Sequence, residues 1–158
     1  FRSAFLTATR GEGIMNATFL GYEVRRGNIV STRNGALVAS EQGIAFAYGL
    51  DNAQGRGITF IEPGTLVYEG MIVGLNSRPQ DIAINVCKEK KKTNVRSSTS
   101  DIAIKLTPAV QLSLEQAIDF ISRDELVEVT PESIRLRKKL LTQAQRLRDI
   151  ASARRGMK

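Results

Sequence analysis

"ITFIEPGTLVYEGMIVGL", residues 58–75, sets two apolar, β-branched runs on either side of Pro63-Gly64. Runs of this kind bounded by turn residues read as strands. Proline fixes φ at such a corner, and glycine takes a positive φ without a Cβ clash. The stretch predicts two strands, with Gly64, Gly70 and Gly74 serving tight turns and close strand packing.

Working outward, "ALVAS" (36–40) and "IAFAYGL" (44–50) flank Glu41-Gln42-Gly43 and predict a β-hairpin. "DIAINV" (81–86) and "DIAIKL" (101–106) both alternate, and they bracket "CKEKKKTNVRSSTS". That bracketed segment is expected to be the long loop of a second hairpin, a cationic finger on a rigid base. Ser113 and Gln116 form a capping-box pattern ahead of Ala117, Ile118, Phe120 and Ile121, which predicts a short amphipathic helix with Phe120 on its buried face. "ELVEVTPESIRLRKKLL" (125–141) alternates on both sides of Thr130-Pro131-Glu132-Ser133 and predicts a hairpin, with a helix starting at Pro131 as the alternative. Thr142 then caps a final basic helix carrying Ala144, Leu147, Ile150 and Ala151 on one face and fraying beyond Ala153. At the other end, Phe1, Ala4, Phe5 and Ala8 recur at helical spacing, Gly11 and Gly13 stop the pattern, and "GIMNATFLGYEV" (13–24) reads as a strand. Nothing caps that helix in front, so the chain is expected to be the C-terminal piece of a longer protein. The fold class expected is α+β, β-rich, with one or two short helices after residue 25.

The 158 residues are 42% hydrophobic and 25% charged, enough for one or two small cores. No run approaches the roughly 18 apolar residues of a membrane span, so no membrane partner is expected. A single cysteine, Cys87, rules out an intrachain disulfide. The net charge of +7 is unevenly distributed. Residues 134–158 hold nine basic residues against Asp149 alone, whereas residues 1–133 hold 14 basic against 15 acidic. Within that balanced part, residues 88–96 gather Lys88, Lys90, Lys91, Lys92 and Arg96 against Glu89. Two cationic zones on a neutral body are the footprint of a polyanion, usually nucleic acid; the alternative is a solvating surface.

The chemistry points the same way by elimination. With no histidine, the commonest general base and metal ligand are missing, and one cysteine cannot build a zinc site. No G-x-x-x-x-G-K-[ST] loop is present to cradle a nucleotide. The V-x-x-G-x-x-V-G pattern of residues 67–74 somewhat resembles biotinyl and lipoyl carriers. Such carriers need a lysine at a hairpin tip, and the nearest, Lys88, lies outside the motif. Asp124 and Glu125 are expected to be helix-end surface rather than a catalytic pair, and no catalytic or metal residue is assigned. The finger suits phosphate contact: its lysines are point charges, Arg96 can fork onto a phosphate, and Thr93, Asn94, Ser97, Ser98 and Thr99 donate hydrogen bonds. No aromatic lies between Tyr68 and Phe120, so structured RNA is expected rather than a splayed single strand.

"YEGMIVG" (68–74), "KKTNVRSS" with the following "SDIAIKLTP", "LSLEQAIDFI" and "DELVEVTPESIRLRKKLL" together resemble the C-terminal end of the BipA/TypA family of translational GTPases, relatives of elongation factor G. The resemblance implies that residues 1–24 are the last helix and strand of a ferredoxin-like fifth domain and that residues 25–158 are the family's own C-terminal domain. It implies a monomeric, cytoplasmic partner of the ribosome, with loop 88–100 reaching towards A-site tRNA and the peptidyl transferase centre of 23S rRNA. GTP and Mg would belong to a domain outside this chain. Lys88, Lys90, Lys91, Lys92, Thr93, Asn94, Arg96, Ser97 and Ser98 are then the candidate RNA contacts of the finger. Arg135, Arg137, Lys138 and Lys139 form a second contact. A protein-interaction domain whose basic tail merely solvates is the competing function.

Overall fold

The computed structural model describes residues 2–24, 33–90 and 104–156. The chain divides into two compact units, residues 1–32 and 33–158; the expected boundary at 24/25 adjoins residues 25–32, which lie outside the described residues. In the first unit, helix α1 (Arg2–Ala8) ends where Arg10 and Gly11 turn to positive φ, at 54° and 84°. The Gly11 amide closes the end by donating to the Leu6 carbonyl. Residues 13–24, expected to be a strand, join no ladder among the described residues. A strand is held by the partner whose backbone groups it satisfies, and among the described residues of this unit no strand pairs with the segment.

The second unit is built on a mixed sheet of strands β1 (Ala36–Ala39), β3 (Gly57–Thr59), β5 (Met71–Asn76), β6 (Ile82–Ile84), β7 (Glu125–Val129) and β8 (Ile134–Lys138). The main order is β6-β1-β5-β8-β7. Strand β5 is the pivot. One edge pairs antiparallel with β1, while the other gives its first half to β8 (Ile72 opposite Leu136) and its second half to β3 (Gly74 opposite Thr59). Two strands can share that edge because Gly74 lets the β3 backbone close in: a Cβ there would stand 2.2 Å from the Ile58 carbonyl oxygen.

The opening stretch thus supplies β3 and β5, and a short β4 (Leu66–Val67) between them. Glu62-Pro63-Gly64-Thr65 and Tyr68-Glu69-Gly70-Met71 are both tight turns closed by an amide three residues on, with Gly64 at φ 88° and Gly70 at 87° in the third position. The expected 36–50 hairpin does not form. Strand β1 lies between β5 and β6, pairing with β6 in parallel. Strand β2 (Gly43–Ile44) pairs with β4. Residues Ala47–Gln54 are helix α2. A short apolar run has no period that separates a strand from a buried helix, and here tertiary packing decides. Leu50 and Ala53 of α2 cover one face of the sheet, together with Leu37, Ala39, Met71, Val73 and Val86. Gly49 presses so close to Val86 that a Cβ would meet its carbonyl oxygen at 2.3 Å.

The opposite face collects Ala36, Val38, Ile72 and Leu136 beneath helix α3 (Leu114–Phe120). The capping box forms as expected: Ser113 Oγ accepts from the Gln116 amide, and Gln116 Oε1 accepts from the Ser113 amide. Ala117 is the buried residue of α3, and Phe120 is half-buried, edge-on to Phe60 at 5.2 Å and beneath the Arg33 guanidinium at 4.2 Å. The β7–β8 hairpin forms around Thr130–Ser133 in the register that pairs Glu125 with Lys138. Proline therefore initiates a turn here, not a helix. The finger's expected hairpin falls mostly outside the described residues, which omit 91–103; β6 has β1 as its described partner, and residues 104–106 join no described strand. Helix α4 (Gln143–Gly156) begins where predicted, with Thr142 Oγ accepting from the Gln145 amide, and runs beyond Ala153. No described helix is long and apolar enough to cross a membrane.

Phe120→Ala is expected to cost about 3 kcal/mol, the lower end of the range for a large aromatic, because the ring is half-buried and loses Phe60 and Arg33 together. Chemical denaturation checks this: the midpoint should fall at unchanged slope, and an unmoved midpoint would remove Phe120 from the core.

Candidate nucleic-acid interface

The sequence offers two groups of cations, and the fold treats them differently. At the finger root, Lys88 and Lys90 are exposed, and the Lys88 ammonium lies 6.0 Å from the centre of the Tyr48 ring. That ring belongs to α2, so the first lysine leaves the body over an aromatic face. Lys91, Lys92, Thr93, Asn94, Arg96, Ser97 and Ser98 lie outside the described residues.

In the second group, strand alternation sorts the side chains of β8. Leu136 and Lys138 point to the core face and are buried; Arg135 and Arg137 are half-buried on the other. Lys138 is 2% exposed, and its ammonium meets three carboxylates: Asp81 Oδ2 at 2.5 Å, Asp124 Oδ2 at 2.8 Å and Glu125 Oε1 at 2.8 Å. It cannot reach a phosphate, so the expectation that Lys138 contacts RNA is corrected. An ammonium has three donors, and here each has an acceptor. Arg137 is engaged as well, its Nε 2.6 Å from Glu128 Oε1, while Glu128 Oε2 accepts from the Tyr68 hydroxyl at 2.6 Å. Burial first, then the bond to Glu128, pushes the Tyr68 phenol well above its usual range, keeping it a donor. Of the second group only Lys139 is exposed.

Sequence reasoning missed the acids around Lys138. Glu125, expected at the surface, is 2% exposed and fully used: Oε1 also takes Arg33 Nη2 at 2.8 Å, and Oε2 takes the Ser122 amide at 2.8 Å. Asp81 Oδ1 accepts from the Ala36 amide at 2.7 Å, tying the start of β6 to the start of β1. Asp124 remains largely exposed on its outer side. The three carboxylates lie within 4.8 Å of one another, a spacing able to hold a cation, and the lysine ammonium stands among them. The missed signal was in the hairpin: a turn at Thr130–Ser133 puts Glu125 opposite Lys138, an acid facing a base on the apolar side.

Burial opposes the charge on both partners, and the cluster overrides it. Asp81 is held below the usual carboxylate range by its bonds to Lys138 and the Ala36 amide. Lys138 is held above the usual ammonium range by Asp124, Asp81 and Glu125. The Asp81 contribution to stability is therefore complete above its unfolded pKa of about 3.9 and fades as pH falls through the lower folded value. The Lys138 contribution is complete below about 10.4 and fades as pH rises through the higher folded value. Lys138→Ala, which leaves the buried Glu125 with Arg33 alone and opens a gap under Asp81 and Asp124, is expected to cost about 3 kcal/mol at neutral pH, the lower end for a broken buried pair because the other two acids reach solvent. Melting followed from pH 2 to 12 should show the wild-type advantage shrinking at both ends, and a variant melting like wild type at pH 7 would sink this account.

The TypA/BipA C-terminal domain family model matches residues 34–143, nearly the whole second unit. Curated relatives carry the name large ribosomal subunit assembly factor BipA. The protein of Synechocystis sp. is 53% identical over 138 residues, covering 87% of this chain and 23% of the relative. That of Bacillus subtilis is 47% identical over 147 residues, 92% of this chain and 24% of the relative. That of Salmonella typhimurium is 46% identical over 159 aligned positions, 100% of this chain and 26% of the relative. The chain spans about a quarter of the length of the curated relatives it matches. With the sheet, the capping box and the turn-centred hairpin all inside the matched residues, the chain belongs to the TypA/BipA C-terminal domain family.

Proposed function

We propose that this chain is the ribosome-docking part of a translational GTPase, and that its lysine-rich segment 88–100 meets RNA phosphates near A-site tRNA and the peptidyl transferase centre. The observation that carries the reading is the relatives' shared name, large ribosomal subunit assembly factor, at 46–53% identity over most or all of this chain. Charge supports it. The core cations are matched by acids, so the surplus of +7 resides on outward segments, where it attracts a polyanion. The whole protein acts in the cytoplasm as a monomer on the ribosome; GTP and Mg are held by a domain outside this chain. The role of the chain is to hold the factor in place: it has no histidine and no phosphate-cradling glycine-lysine loop. The finger acts by reach and charge, with contacts that position the factor without reading sequence.

Replacing Lys90, Lys91 and Lys92 with alanine in the full-length protein is expected to leave its melting temperature unchanged and to weaken ribosome association. The plot of log affinity against log salt should become shallower by roughly two to three, since each phosphate contact contributes about 0.7–0.9. Sedimentation with ribosomes across a salt series measures it. Wild-type affinity and slope in the variant would make the finger a solvating surface and favour a protein-interaction domain.

A further inference from the structure

Helix α4 is 14 residues long and carries Arg146, Arg148, Arg154 and Arg155 against the single acid Asp149. Its root is fixed. The Gln143 amide donates to Glu69 Oε1 at 2.7 Å, Thr142 caps the first turn, and Arg146 Nη1 donates to the Leu140 and Leu141 carbonyls. Beyond Arg146 every residue whose side chain is described is exposed. A helix of this length is marginal in water unless a face is covered. Leu147 and Ile150, 59% and 50% exposed, face a cleft of about 570 Å³ shared with Ile82, Leu140 and Lys139. Arg148, Ser152 and Arg155 fall at i, i+4 and i+7, one stripe beside that strip, with the two arginines roughly 10.5 Å apart along the axis. Among the described residues neither Arg148 nor Arg155 has an acid partner, in contrast to Arg137 and Lys138 of β8.

We infer that the second RNA contact lies on α4, through Arg148 and Arg155, rather than on β8, and that its occupant is the phosphate backbone of folded RNA. The inference rests on the ribosome-docking reading above and adds which face meets the RNA. Charge complementarity selects a polyanion. Guanidinium forks suit phosphate oxygens, and the helix has no aromatic on which a splayed base could stack. An anionic membrane would need apolar side chains to insert beside the arginines, but Leu147 and Ile150 line the cleft on the body instead.

The test uses the full-length protein and purified large ribosomal subunits over a salt series, comparing Arg148→Ala/Arg155→Ala with Arg148→Lys/Arg155→Lys and with the Lys90–Lys92 alanine variant. The alanine pair should weaken binding by at least about tenfold near 0.1 M salt and make the log-log slope shallower by roughly 1.4–1.8, at unchanged melting temperature. The lysine pair keeps the charge, so it should keep the slope while losing part of the affinity. If the arginine pair binds with wild-type slope while the finger variant does not, the α4 contact is overturned and the docking reading stands. If both variants bind like wild type, both fall. A loss that is independent of salt would identify a protein contact and overturn the RNA assignment, as would loss of binding to phosphatidylserine vesicles with subunit binding intact.

Discussion

The Lys138 ammonium, enclosed by Asp81, Asp124 and Glu125, is the interaction on which the second unit depends. Its anchors come from two separate segments: Asp81 at the entry to β6, and the consecutive Asp124 and Glu125 where the corner after α3 leads into β7. Through Glu125 the network reaches Arg33, and through Arg33 the ring of Phe120. Through Asp81 it reaches the first amide of β1. Outer strands of the sheet, β6 at one end and the β7–β8 hairpin at the other, are thus joined by one cation, in addition to the ladder through β1 and β5. Such an arrangement tolerates little loss, because an ion pair taken out of water is favourable only while every lone pair and proton is matched. Here the matching is close: three protons meet three carboxylates, and both Glu125 oxygens have donors.

That internal matching also explains how a basic protein presents its charge. Positive side chains pointing into the sheet layers are neutralised by acids from distant segments, and those on the finger root and α4 point outward. The sheet carries both outward groups on short tethers. Strand β6 precedes the finger by three residues, and β8 precedes α4 by four. Since β6 and β8 are both gripped by the Lys138 cluster, the segments that leave them start from fixed positions.

Much of the fold could be read locally. The Ser113 capping box, the Pro63-Gly64 corner, the Thr130–Ser133 hairpin and the Thr142 cap each depend on residues within four positions of one another, and each forms as the sequence implies. The 36–50 segment was not legible in the same way. "ALVA" is apolar on both sides because β1 is central and buried on both faces, and "AYGL" is apolar because it opens α2, which packs on the sheet; nothing within the segment records which neighbour each one finds. The charged site was half legible. Clustering of basic residues marks the finger and the tail, but it treats Lys138 and Lys139 alike, although one is buried and the other exposed.

The sequence by itself determined the family, the α+β class, the turns and caps, and the surplus positive charge, because these follow from residue identity and short spacing. Tertiary structure decided that β1 pairs with β5 and β6, that residues 47–54 wind into a helix, and which cations face inward. The physical reason is common to all three. Burial, strand pairing and ion matching are properties of groups far apart in sequence, and an acid at position 81 can neutralise a lysine at 138 only once the chain has brought them within 2.5 Å.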